Sequence, residues 1–495
     1  MKKSLILILV LFILVGSSIG CGKGEALGSE LLLEDDLNGV DLENISHYEI
    51  DVQMFEKEKM YTGRQYTTYT NHTGIELQEL YFHLYPNAYK TLDGAPIILQ
   101  NGFPDPMSYD VGFIDILEVS IEDFDLEYEV IGEDETILKV KLNQPLAQDE
   151  TIKLFLAYDG KLPNSQDRFG YGQRVMNFGN WYPILCVYDE DGWNLEPYYK
   201  LGDPFYSNIS NYNVRITTDK KSIVASSGNI LSEEVVQDKK VYEIEGKLIR
   251  DFAWALSPYF KIKESKVDNT KVKLYYLDEK STTVRYALNA ATDSIKTFNK
   301  RFGKYPYEDF NVVMTEFSSG MEYPGIVFIS NDYFNYGSRD VLEQIIVHEA
   351  AHQWWYGLVG SNQIKEAWLD EALATYSEVI YTSEIHGKNK GREYYNKYIS
   401  QGFEYGKRYL GENEIVNKHL NEFVGWNDYS ILVYLKGAMF INQIKVNYGE
   451  DTLYRILSEY YKEYKFYNAS TEDFIRICEE VTESSFKRLV DTWLN

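Results

Sequence analysis

Apolar and polar residues alternate along the first half of the chain, and along the second half apolar residues recur every three to four positions. Alternation is the mark of a strand with one buried face, and the longer period that of an amphipathic helix. Leu80-Tyr81-Phe82-His83-Leu84-Tyr85, Ile152-Lys153-Leu154-Phe155-Leu156-Ala157-Tyr158 and Tyr212-Asn213-Val214-Arg215-Ile216-Thr217 read as strands. Turn signals such as Asp159-Gly160 and Ser227-Gly228-Asn229 separate the strands of this region. Many short strands without helices between them predict an antiparallel β-sandwich or saddle-shaped sheet over residues 47–263. A boundary falls near 258–271. Beyond it come a strand at Val272-Lys273-Leu274-Tyr275-Tyr276 and a helix over 282–301, with Ala287, Ala291, Ile295 and Phe298 on one side. Further helices are predicted over 394–410 and 451–464. The fold class is thus multidomain, β then α+β, with a mostly helical second domain over 264–495.

The first 21 residues fit neither pattern. Lys2 and Lys3 precede an unbroken apolar run, and small residues lead to Cys21. This is a secretory signal and is excluded from fold reasoning. Its end, Ser17-Ser18-Ile19-Gly20-Cys21, is similar to a bacterial lipobox, which implies lipidation of Cys21 and anchoring at the outer face of a membrane. Ordinary secretory cleavage and an uncleaved anchor are the alternatives, and all three readings export the protein. Residues 22–46 are acidic and weakly patterned, and read as a linker between lipid and folded body.

Composition narrows the function. A net charge of −27 excludes the basic footprint of a nucleic-acid-binding protein. After Cys21 only Cys186 and Cys478 remain, too few and too far apart for a disulfide framework. The 43 tyrosines suit half-buried strands and aromatic packing. Nothing in the pattern speaks to oligomeric state.

One stretch, 341–378, carries chemistry. It contains His348-Glu349-Ala350-Ala351-His352. Positions i and i+4 share a helix face, so both imidazoles can reach one ion with Glu349 beside them. With 7 histidines in 495 residues, chance would give the pattern roughly 0.01 times. Asp340 is the expected N-cap, and Leu342, Ile345, Ile346 and Val347 the apolar face. A catalytic zinc takes three protein ligands and leaves one position open. Glu371, 18 residues beyond His352 on a second helix, is the expected third ligand. Glu378 lies two turns further along the same face. It either orients a ligand imidazole or is a solvated carboxylate.

These residues resemble the gluzincin metallopeptidases of the aminopeptidase N family. The resemblance rests on the HEAAH run, the eighteen-residue gap and the Asp370-Glu371-Ala372-Leu373-Ala374-Thr375-Tyr376 helix, where Asp370 and Ala372 replace the family's usual Asn and Gly. Phe302-Gly303-Lys304-Tyr305-Pro306-Tyr307 is similar to the segment preceding the family's active-site strands. Gly320-Met321-Glu322 matches three positions of its exopeptidase motif, with Ser319 and Tyr323 departing on either side. Tyr434-Leu435-Lys436-Gly437 resembles the segment carrying its oxyanion tyrosine, with Tyr429 the competing residue. Gly179-Asn180-Trp181-Tyr182-Pro183 and Asp251-Phe252-Ala253 resemble its N-terminal domain.

The resemblance implies a thermolysin-like catalytic domain, here without the helical-repeat domain of longer members. It implies Zn²⁺ held by His348, His352 and Glu371, Glu349 as general base, and Tyr434 on the oxyanion. Peptides with a free N-terminus are the implied substrates. The edge strand at Gly320 and Met321 would take the peptide backbone, and Glu322 would hold the α-ammonium. A second amine anchor from the β domain is expected by the same resemblance but has no visible candidate. An endopeptidase, a di- or tripeptide-releasing enzyme and an inactive peptide-binding lipoprotein are the other readings.

Overall fold

In the computed structural model, residues 32–33, 36–42, 44–95, 109–122, 124–277, 281–410 and 413–495 are described. The signal, Cys21 and most of the acidic stretch lie outside them. Among the described residues no helix is long and apolar enough to cross a membrane.

The β domain is built on an eight-stranded sheet whose central strands, Ser46–Phe55, Met60–Thr70, Thr151–Lys161 and Ser210–Asp219, bury alternate residues. All its pairings are antiparallel except one, Ser46–Phe55 against Ser210–Asp219. Smaller antiparallel sheets pack beside it, among them Leu77–His83 with Ile137–Leu146 and Ile223–Ser226 with Trp254–Ser257. Trp181, Tyr182, Tyr212 and Trp254 are fully buried at the centre. His83 is buried and stacked on Tyr85.

The second domain opens with a mixed five-stranded sheet in the order Lys261–Val267, Thr270–Tyr276, Asp309–Thr315, Ile326–Ser330, Gly320–Met321. Its first strand pairs with the second, so the expected division after 263 falls inside a strand and the change of sheet comes slightly earlier. Helix α1, Ser281–Arg301, buries Ala287, Ala291, Ile295 and Phe298 against this sheet, as its period requires. Helices α2, Arg339–Ala351, and α3, Trp368–Ile385, lie next to it and to each other. Asp340 sits in the first turn of α2 instead of capping it; Ser338 precedes the helix and makes no side-chain cap. After α4, Lys388–Tyr394, the predicted 394–410 helix is a composite of π, α and 3₁₀ turns.

The acidic stretch departs from expectation where it is described. It is docked on the catalytic domain instead of running free. Leu33 N–H donates to the Pro306 carbonyl at 2.7 Å, and the Asn38 side chain donates to the carbonyls of Glu463 and Lys465. Leu37, Val40 and Leu42 pack on the core. Spaced apolar residues outweigh its acidic composition. Cys186 and Cys478 are free and buried.

Candidate active site

Helix α2 carries His348 and Glu349 on its last full turn, and His352 continues its backbone conformation one residue past the end. Helix α3 brings Glu371 in its first turn and Glu378 two turns later. His348 Nε2 stands 3.1 Å from His352 Nε2 and 3.1 Å from Glu371 Oε2, and His352 Nε2 is 3.4 Å from the same oxygen. All three ligand atoms thus converge, as the spacing predicts.

The outer nitrogens decide what sits between them. His352 Nδ1 is 3.0 Å from the Trp355 carbonyl, which can only accept, so Nδ1 carries the hydrogen and the Nε2 lone pair points inward. His348 Nδ1 is 2.8 Å from Glu378 Oε1, which fixes its ring in the same sense. Tyr394 donates to the other Glu378 oxygen. Two lone pairs and a carboxylate facing one point call for a cation. Donors about 2.0–2.1 Å from a tetrahedral zinc stand about 3.3 Å apart, which matches the three separations.

The electrostatics agree. Burial works against charge at Glu371, but hydrogen bonds with both imidazoles bring its pKa down to about 2. Burial likewise opposes charging His352, yet Glu322 and Glu371 outweigh it and lift its pKa to about 10.

Around this centre the other predicted residues gather. Glu349 is buried, its Oε2 has no protein partner, and burial pushes its pKa up to about 7. A Cβ at Gly320 would lie 2.0 Å from Glu349 Oε1, so only glycine lets the edge strand pass this close. Among the described residues that strand, Gly320–Met321, pairs on one side only, with Ile326–Ser330. Glu322 follows it, 4 % exposed, with Oε1 unpartnered. Burial, and next the Asp203 charge, hold its carboxyl well above the usual range. Carboxylate oxygens of Glu322 and Glu349 lie within 4.8 Å of each other and of a His352 ring nitrogen. Tyr434 donates to Glu371 Oε1 and its ring stacks on His348, with centroids 5.8 Å apart. Burial and the Glu371 charge keep it a phenol. Tyr429 is one ring further out, in edge contact with Tyr434.

A cavity of about 700 Å³ runs over these groups. Its other wall comes from the β domain, and sequence reasoning missed it. Asp203 lines the cavity and is paired with the buried Arg168 at 2.5 Å. Its one available signal is a Gly202-Asp203-Pro204 turn, which is too common to single out. Tyr394 carried no signal either.

Residues 286–493 match the model of the Peptidase family M1 domain. Over these residues the chain is similar to M1 peptidases. It is 26 % identical to aminopeptidase 2 of Candida albicans over 42 % of this chain and 24 % of that one. To aminopeptidase N of Lactobacillus helveticus it is 21 % identical over 82 % of this chain and 49 % of the relative. The chain therefore spans between about a quarter and a half of the length of these curated relatives. The M1 zinc metallopeptidase from Deinococcus radiodurans superposes with a TM-score of 0.65 at 16 % identity, covering 91 % of this chain and 94 % of that structure. The fold of both domains is thus that of an M1 peptidase, and zinc is the cofactor its ligand set fits.

Proposed function

We propose that this chain is a zinc-dependent aminopeptidase of the M1 type that removes residues from the N-terminus of peptides. One observation carries the exopeptidase reading. Glu322, buried at the end of a free strand edge and with an unpartnered oxygen, lines the cavity that holds the metal ligands. A buried carboxylate above its usual pKa is stabilised by a cation, and an α-ammonium at the end of a strand-paired peptide supplies one. Asp203 is the second carboxylate for that ammonium, the β-domain anchor the family resemblance calls for. A mutant of the Deinococcus neighbour has been solved bound to a Tyr-Ser-Ala substrate, and a short peptide with a free amine suits the present cavity equally.

His348, His352 and Glu371 would hold the ion. When bound, zinc lowers the pKa of a coordinated water and polarises the scissile carbonyl. Glu349 accepts the proton of the attacking water and returns it to the leaving amine. Tyr434 turns its hydroxyl from Glu371 to the oxyanion as charge develops there. Gly320 and Met321 align the peptide backbone, and Glu322 with Asp203 set its first bond over the reacting groups. Glu378 and Tyr394 hold the His348 ring.

A panel of aminoacyl reporters run beside N-blocked peptides tests this. Turnover of the free-amine substrates and none of the blocked ones is expected. Equal cleavage of blocked peptides would make the enzyme an endopeptidase, and chelator-insensitive or absent turnover would remove the reading.

The first 21 residues support export and anchoring at the outer face of a membrane through lipid on Cys21. Palmitate labelling in a bacterial host is expected for the wild type and lost in Cys21→Ala; label retained in the variant would overturn the anchor.

A further inference from the structure

Arg250 belongs to the β domain, in the short link between the strands Lys239–Ile249 and Trp254–Ser257, and is 1 % exposed. Its hydrogen-bond acceptors are neutral. Nε donates to the Tyr356 carbonyl at 2.8 Å, and Nη2 to the Tyr467 carbonyl at 3.1 Å. Nη1 donates to the Ser207 carbonyl and to Asn468 Oδ1. A guanidinium buried among carbonyls gives up its hydration without a counter-charge. Burial accordingly pushes its pKa down. A hydrophobic residue would fill the space at less cost, so this fork of directed donors calls for a role beyond filling it.

That role lies at Tyr356, a non-glycine residue with φ of +119°. Such a conformation persists only where the surroundings over-determine it, and it gathers at functional sites. The surroundings here are three hydrogen bonds. Tyr356 N–H donates to the Val359 carbonyl at 2.9 Å, Gly357 N–H to the His352 carbonyl at 2.8 Å, and Arg250 holds the Tyr356 carbonyl. The peptide unit entering the strained residue ends in the Trp355 carbonyl, which accepts from His352 Nδ1 at 3.0 Å.

We propose that Arg250 is a positioning residue for the metal site: by holding the Tyr356 carbonyl it keeps the Trp355 carbonyl aimed at His352 and so keeps the His352 Nε2 lone pair on the ion. The β domain thereby sets the geometry of a ligand on the other domain. His348 is held from within the catalytic domain, by Glu378 and Tyr394, whereas His352 is held across the domain seam.

The alternative is that Arg250 merely fastens the domains together. Tyr307→Phe separates the two, because Tyr307 donates to the Leu248 carbonyl in a buried bond near the same seam, and among the described residues its hydroxyl makes no hydrogen bond to 355–357. Zinc affinity of the full chain is measured by competition with a chromophoric chelator, alongside the visible spectrum of the Co²⁺-substituted protein and far-UV circular dichroism. Arg250→Lys should keep the fold, weaken zinc about 10- to 100-fold, the range for losing a group that orients a ligand, and shift the Co²⁺ bands. Tyr307→Phe should leave both metal readouts unchanged. Wild-type zinc affinity and Co²⁺ bands in Arg250→Lys, or an equal weakening in Tyr307→Phe, would overturn the proposal. If Arg250→Lys does not fold, Asn468→Ala removes one anchor of the same guanidinium. A smaller weakening in the same direction then supports the proposal, and none overturns it.

Discussion

The two walls of the active-site cavity are made differently. The catalytic-domain wall draws its candidate zinc ligands and base from 24 consecutive residues on two adjacent helices, His348 to Glu371, and their spacing alone brings them together. The β-domain wall draws Arg168 and Asp203 from separate loops, 35 residues apart in sequence, held by a charge pair and by packing. Behind it a buried network runs from Tyr323, next to Glu322, through Asn180 and Asp251 to Tyr182 and Tyr212. The difference teaches a division of labour. On the proposed reading, the bond-making groups sit on local elements of the catalytic domain, whereas of the two amine anchors only Glu322 belongs to that domain and Asp203 depends on how the two domains meet.

The division yields graded expectations. Glu349→Gln should lower kcat by about 10²- to 10⁴-fold with zinc still bound, as loss of a general base does; steady-state kinetics with metal analysis checks both. Tyr434→Phe should lower kcat by about 10²-fold with little change in KM, the scale of one oxyanion donor. Tyr429→Phe should fall far short of that, and equal losses would erase the distinction between the two tyrosines.

Anchoring residues should act on the other kinetic constant. Glu322→Ala should lower kcat/KM for aminoacyl reporters by about 30-fold or more, the effect of truncating one partner of a buried charge pair. Asp203→Asn should do so by about tenfold, mainly through KM. If Asp203→Asn lowered kcat alone, the β-domain wall would belong to the chemistry and the two walls would not differ in kind.

The smallest effect concerns the network behind that wall. Burial pushes the Asp251 carboxyl up to about 7 from an ordinary value of 3.8. Its folded pKa is raised, so its stabilisation is fully present below 3.8 and is lost as pH rises through about 7. Between those values the folded state keeps a proton that the unfolded state releases. Thermal melts should therefore show a slope of up to about 1.4 kcal/mol per pH unit in this window. Asp251→Asn should flatten it, and an unchanged slope would assign it to other groups.

The same contrast explains what could be read from the sequence. The β-then-helical order, α1 with its Ala287 to Phe298 stripe, and the His348, His352 and Glu371 trio follow from local periodicity, so the pattern disclosed them. Glu322 and Tyr434 were reached through resemblance of the segments around them, because a lone carboxylate or one tyrosine among 43 carries no periodic signal. Asp203, Arg250 and Tyr394 depend on contacts between distant segments, and no local rule points to them. The docking of residues 32–42 was hidden for a related reason. Its acidic composition suggested a free linker, while Leu33, Leu37 and Val40 had partners only in the folded body.

Zinc-edge anomalous diffraction from crystals of the zinc-loaded protein tests the central claim most directly. A single peak is expected about 2.0–2.2 Å from His348 Nε2, His352 Nε2 and the Glu371 carboxylate. A peak elsewhere, or these three side chains turned away from a common point, would contradict it.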